Sequence, residues 1–232
     1  MVSRRVLPLL LEQPDGGVRQ HDVAVEHAVI AGWTGRDKAA VEKHIVELEA
    51  LGVKRPATTP IFYRVAAARL SLSESIEVLG GASSGEVEFV LLQSQGRLWV
   101  GVGSDHTDRE VEAYGVSVSN QMCEKPIAPV FWAYENLAPH WDRLMLRSYA
   151  TIGGVRSLYQ EGPVAAMRYP EDLIGRFVNE SKWVEGTLMF CGTLAVHGGV
   201  RPADHFEFEL EDPVRARKIR SGYSVSKLAN LG

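Results

Sequence analysis

Between Ser75 and Gly103 the sequence runs in short apolar and alternating segments punctuated by turn-formers, and that pattern commits the backbone to pairing across sheets. Ile76-Glu77-Val78-Leu79, Glu86 to Gln93 and Arg97 to Val102 each read as strands, with a turn at Gln95-Gly96. Leu144 to Ile152 and Val155 to Gln160, joined by Gly153-Gly154, form a further hairpin. Thr187 to Cys191 and Phe206 to Leu210 continue the style. The expected class is α+β and strand-rich.

Two other regions frame this core. Residues 5 to 12 and 18 to 30 make an opening hairpin around Pro14-Asp15-Gly16-Gly17. Thr34 and Asp37 resemble a helix cap, and Val41, Ile45, Leu48 and Leu51 then repeat at helical spacing until Gly52. The stiff stretch Arg55-Pro56 to Thr59-Pro60 suggests a division into an N-terminal hairpin-and-helix region, 1–55, and a β-rich catalytic domain, 56–232. A second helix starts at Tyr169-Pro170 and carries Leu173, Ile174, Phe177 and Val178.

Charge and cysteine content narrow the function. Lys plus Arg total 25 against 29 acidic residues, a net charge of −4, so nothing draws the chain to a phosphate backbone and no nucleic-acid partner is expected. The basic group Arg215, Arg217, Lys218 and Arg220 follows the acidic run Glu207 to Asp212 and reads as a solvated strand or turn. Two isolated cysteines, Cys123 and Cys191, suit a reducing cytoplasm and exclude a cysteine-based zinc site. Met1 to Leu11 lacks a leader's cleavage site, and no segment has the roughly 18 apolar residues of a membrane span.

Candidate chemistry concentrates in two neighbouring segments. Glu86 and Glu88 lie two apart in a strand, so both carboxylates leave the same face. Such a pair repels itself unless it faces water, as on an exposed edge strand, or a cation. At the end of the next strand stands Ser104-Asp105-His106-Thr107-Asp108-Arg109-Glu110. Glu86, Glu88 and Asp105 together offer oxygen ligands suited to a hard cation such as Mg²⁺ or Mn²⁺. The consecutive Ser104, Asp105 and His106 cannot relay protons as a triad, and Gly80 to Gly85 lacks the lysine of a phosphate loop.

These residues resemble the fumarylacetoacetate hydrolase superfamily, in a divergent, DUF2848-like bacterial branch, over much of Pro56 to Val225. There a Glu-x-Glu pair and an Asp in Asn-Asp-x-Ser-Ala-Arg-Asp hold the metal, and Glu86, Glu88 and Asp105 occupy the matching positions. The resemblance implies that Arg109 and Lys125, the latter in Lys125-Pro126-Ile127-Ala128-Pro129, face the substrate's oxygens. It likewise implies that Gly192-Thr193 matches the Gly-Thr of a Thr-Gly-Thr-Pro turn, with Cys191 and Leu194 replacing its outer residues, ahead of Pro202-Ala203-Asp204. The implied fold is a rolled β-sheet, and the implied activity a metal-dependent hydrolase or lyase acting on a 2-oxo acid or dicarbonyl compound through a metal-stabilised enolate.

Two departures leave the reaction type open. The Glu88-to-Asp105 interval is short, and the His and Glu that hydrolytic members carry after an Asn-Tyr segment are missing from Phe62-Tyr63-Arg64-Val65-Ala66-Ala67. His106 beside Asp105 is one substitute base, although a structural role suits its position better, and His197 in a glycine-rich loop is another. The alternative is a catalytically inert protein of this fold that binds small carboxylates. A homodimer is expected from the resemblance and from the apolar run Ile127 to Trp132.

Overall fold

The computed structural model describes residues 4–50 and 55–231. Its strands open with β1 (Arg5–Glu12), β2 (Val18–Val25) and β3 (His27–Gly32), followed by helix α1 (Lys38–Ala50) and β4 (Ile61–Val65). The two-residue β5 (Leu70–Ser71), β6 (Ser75–Leu79) and the short β7 (Ser83–Ser84) lead into the hairpin β8 (Val87–Ser94) and β9 (Arg97–Ser104). Next come β10 (Thr107–Asp108), α2 (Arg109–Tyr114), α3 (Val116–Met122), β11 (Lys125–Pro126) and β12 (Val130–Ala133). The chain finishes with β13 (Met145–Ile152), β14 (Val155–Pro163), α4 (Pro170–Val178), β15 (Thr187–Phe190), β16 (His205–Asp212) and β17 (Arg217–Leu228).

An eight-stranded sheet runs β2-β1-β12-β9-β8-β15-β3-β4, and a five-stranded sheet runs β14-β13-β16-β17-β6. The sheets curl, giving the strand-rich α+β class expected. Alternation on β8 sorts its side chains between two cores. Val87, Phe89 and Leu91 pack with Leu146, Phe206, Phe208 and Tyr223 of the five-stranded sheet, while Val90 and Leu92 join Leu7, Leu9, Trp99, Phe131 and Phe190 on the opposite face. Burying an aromatic such as Phe89 is worth roughly 3–5 kcal/mol against alanine.

The N-terminal region contributes three strands to the large sheet: β1 pairs β12 and β3 pairs β15, so a boundary at residue 55 would cut through one hydrogen-bonded sheet. The segment expected as one strand from 18 to 30 breaks at Glu26 into β2 and β3. Helix α1 is capped by Asp37, whose carboxylate accepts from the N–H groups of Ala39 and Ala40 at 2.9 and 3.2 Å. Its expected end at Leu51-Gly52 lies outside the described residues. In α4, Pro170 takes the first turn and Leu173 and Phe177 are buried.

Ile127, Ala128, Phe131 and Trp132 are at most 2% exposed within the chain's own cores. That apolar run therefore needs no partner to cover it. Among the described residues no helix is long and apolar enough to cross a membrane.

Candidate metal centre

The register of β8 and β9 sets Val87 opposite Ser104, which brings the residues just outside the hairpin's open end, Glu86 and Asp105, together. A bond from Asp105 N–H to the Glu86 carbonyl at 2.9 Å closes that end. Glu86, Glu88 and Asp105 each place a ligand oxygen within 4.8 Å of the others. Gly85 makes the approach possible: a Cβ there would meet Tyr223 Oη at 2.7 Å and Phe206 at 2.8 Å.

Each carboxylate is held from behind. Asp105 receives Lys125 Nζ at 2.5 Å and the Thr107 hydroxyl at 3.2 Å. Glu88 accepts the Gly192 N–H at 2.7 Å, and Glu86 lies 3.1 Å from Arg109 Nη2. Gly192 has φ of +92°, and a Cβ there would fall 1.8 Å from Thr34 Oγ1, so only glycine can aim its N–H at Glu88 this way. Thr34, expected at the helix cap, instead packs on this turn.

Burial dominates the electrostatics. It pushes the Glu86 carboxyl up to about 7, with Arg109 opposing and Asp105 adding to the rise. Burial, then Asp105 and Glu86, raise Glu88 well above the usual carboxylate range. With Glu112, which bonds Arg109 Nη1 at 2.9 Å, four carboxylates share two cations, Arg109 and Lys125. A compact, largely buried, oxygen-only donor set short of positive charge, with Glu86 partly exposed, fits a hard divalent cation.

The remaining expected site residues divide. Lys125 is wholly buried, and its ammonium also donates to the His106 carbonyl at 2.7 Å, so it is spent on the ligand loop. The Arg109 fork is engaged as well, by Ser84, Glu112 and Glu86. His106 is 1% exposed and bonds Tyr223 Oη and Ser83 Oγ at 2.8 and 2.9 Å through its two ring nitrogens. Burial, reinforced by Lys125 and Arg109, pushes its pKa down to about 3, so it is a neutral structural ring. His197 is exposed on a loop where its N–H donates to the Tyr159 carbonyl and its carbonyl accepts from the Arg201 guanidinium, and its ring makes no hydrogen bond among the described residues. The Thr193 hydroxyl donates to the Val87 carbonyl at 2.8 Å.

The segment after Tyr63, which carries neither His nor Glu, lies on β4 and just beyond it. β4 pairs β3 antiparallel, with Ile61 opposite Gly32 and Val65 opposite Ala28, while β3 and β15 run parallel toward the Gly192 turn. β4 therefore runs away from the Gly192 turn, while the segment after β3 brings Thr34 against that turn. Two residues escaped the sequence reading. Glu112 follows Arg109 by one helical turn and is detectable once Asp108 is seen to cap α2, accepting from Glu110 and Val111. Gln160, buried among Val87, Thr193 and Leu194, leaves no signal in a strand pattern.

Comparison with known proteins gives a family and a fold. The profile of a family described as a protein of unknown function, DUF2848, matches residues 31–223. No curated protein matches. Among solved structures, Cg1458 with inhibitor is 16% identical at a TM-score of 0.64, covering 91% of this chain and 81% of the other. A 2-keto-3-deoxy-D-arabinonate dehydratase complexed with magnesium and 2,5-dioxopentanoate is 16% identical at 0.63, covering 94% and 79%. A 4-oxalocrotonate decarboxylase from Pseudomonas putida G7, complexed with calcium and acetate, is 13% identical at 0.56, covering 87% and 77%. At these identities the likeness concerns the fold alone. The chain belongs to the DUF2848 family.

Proposed function

We propose that this protein is a divalent-metal-dependent hydrolase or lyase acting on a 2-oxo acid or related dicarbonyl compound. The observation that carries the reading is the triad Glu86, Glu88 and Asp105, with its oxygens within 4.8 Å of one another and its charge only partly compensated. These three residues hold Mg²⁺ or Mn²⁺, which when bound supplies a Lewis acid for the carbonyl and carboxylate oxygens of the substrate. Lys125 holds and aims Asp105, Arg109 holds Glu86 and offsets part of its burial, and the Gly192 N–H fixes the rotamer of Glu88. The two cations act on substrate through the ligands they hold rather than as a free carboxylate clamp. The magnesium-bound dehydratase and calcium-bound decarboxylase of the same fold support this substrate class. A cytoplasmic homodimer belongs to the same reading, and light scattering near 25.6 kDa at micromolar concentration would remove the dimer.

The test is a screen of acylpyruvates, oxaloacetate and other oxo acids with Mg²⁺ or Mn²⁺ and with chelator. Reproducible turnover that chelation abolishes is expected. A second reading, an inert small-carboxylate-binding protein, is favoured by one observation: His106, Lys125 and Arg109 all spend their polar atoms inside the protein. Binding of oxalate or pyruvate without chemical change across the screen would select it.

A further inference from the structure

We infer that Gln160 and Thr193 form a clamp on Val87 that fixes the disposition of Glu86 and Glu88, which makes Gln160 a positioning residue of the metal centre; this rests on the metal reading above. The clamp stands where regular pairing stops. β15 accompanies β8 from Leu188 opposite Leu92 to Phe190 opposite Val90, and the chain then turns away at Gly192. Past Val90 no strand among the described residues borders β8 on that side, just where both glutamates leave it. Buried peptide groups without partners would cost roughly 1–3 kcal/mol each and let the segment shift.

Side chains replace the missing strand. Gln160 Oε1 accepts the Val87 N–H at 3.0 Å and the Ser148 hydroxyl at 2.9 Å. Its Nε2 donates to Thr193 Oγ1 at 2.8 Å and to the Leu194 carbonyl at 2.7 Å. The Thr193 hydroxyl in turn donates to the Val87 carbonyl at 2.8 Å. The amide is saturated, and both peptide groups of the residue between the glutamates are held. The same clamp ties the 192–194 turn to β8, so the Gly192 N–H that bonds Glu88 is located by Gln160 as well.

Titration calorimetry of the full chain with Mn²⁺ reads this directly. Gln160→Met keeps the length without the amide, and Thr193→Val keeps the shape without the hydroxyl. Both are expected to weaken Mn²⁺ binding by about 10- to 100-fold, the usual effect of losing a group that orients a ligand. Thr193→Ser restores the hydroxyl and is expected to return affinity close to that of the unsubstituted chain. Urea midpoints without metal are measured in parallel, with titrations run where each variant is folded. A lowered midpoint with unchanged affinity would overturn the inference, because a merely structural amide moves stability alone. If Gln160→Met does not fold, the Thr193 pair decides. No Mn²⁺ binding by the unsubstituted chain overturns the metal reading and the inference with it, whereas equal affinity in all variants overturns the inference only.

Discussion

Glutamates two residues apart, on a strand or across its start, occur in two places of this fold, in opposite surroundings. On β16, Glu207, Glu209 and Glu211 share the outer face of the five-stranded sheet with Glu161, and Arg147, Arg156, Lys218 and Arg220 bridge them. Four cations meet four carboxylates. Arg156 holds Glu207 below the usual range, Arg147 does so for Glu211, and for Glu209 the Arg220 and Arg147 bonds outweigh its burial. At Glu86 and Glu88 the shifts run upward, because burial is paired with too few cations. Spacing alone therefore says little. What separates the ladder from the triad is the local balance of charge, four carboxylates against Arg109 and Lys125 around the triad.

That contrast breaks most visibly at Lys125. Replacing it with methionine leaves Asp105 buried beside two other carboxylates without its cation. The expected cost is about 3–5 kcal/mol at neutral pH by urea denaturation. A loss under 1 kcal/mol would mean that solvent or a neighbour already compensates Asp105.

The two clusters also differ in how stability follows pH. Glu86 has its folded pKa raised to about 7 from an ordinary 4.5, so its contribution is fully present below pH 4.5 and is lost as pH climbs through 7. With chelator present, Glu86→Gln should gain on the unsubstituted chain across that window, by up to about 3 kcal/mol. Saturating Mg²⁺ or Mn²⁺ should shrink the gain, since the ion neutralises the carboxylate. A difference independent of pH would show that Glu86 is ionised throughout. Removing one ligand comes next in size: Glu88→Gln should weaken Mn²⁺ binding about 100-fold, equivalent to about 2.7 kcal/mol, while Glu209→Gln leaves it unchanged. Equal affinity in Glu88→Gln would dissolve the metal assignment.

How much of this was legible in the sequence depended on range. Strands such as β8, β9, β13 and β14 announce themselves through local alternation and turns. The carboxylate triad was readable because two ligands share a strand face and the third ends the next strand. Helices α2 and α3 were not. α2 buries none of its residues, and α3 buries Ser119 and Asn120 while Val118 and Met122 stay exposed, so no apolar stripe marks either. Gln160 reaches Val87 across 73 positions, and the packing of Thr34 on the Gly192 turn depends on β3 pairing β15. Such pairings belong to tertiary register, which a periodic pattern does not encode.

The smallest expected effect lies in the ladder, where it gives the comparison its other limb. Arg156 bonds Glu207 at 2.6 and 2.9 Å and lies 3.7 Å over the Tyr149 ring, yet its side chain is 47% exposed. Water and salt screen such a pair, and ordering a long side chain offsets much of the attraction. A double-mutant cycle with Arg156→Ala and Glu207→Gln should therefore give a coupling of roughly 0.2–1 kcal/mol that falls with added salt. Its pH dependence has the opposite sign to that of Glu86: because the Glu207 pKa is lowered, the coupling is present above the ordinary carboxylate pKa and disappears as pH falls through the lowered one. Mn²⁺ affinity should not respond to either substitution. A coupling of several kcal/mol, or a shift in Mn²⁺ affinity, would mean that the two glutamate clusters communicate through the packed sheets, and the triad's charge could no longer be counted locally.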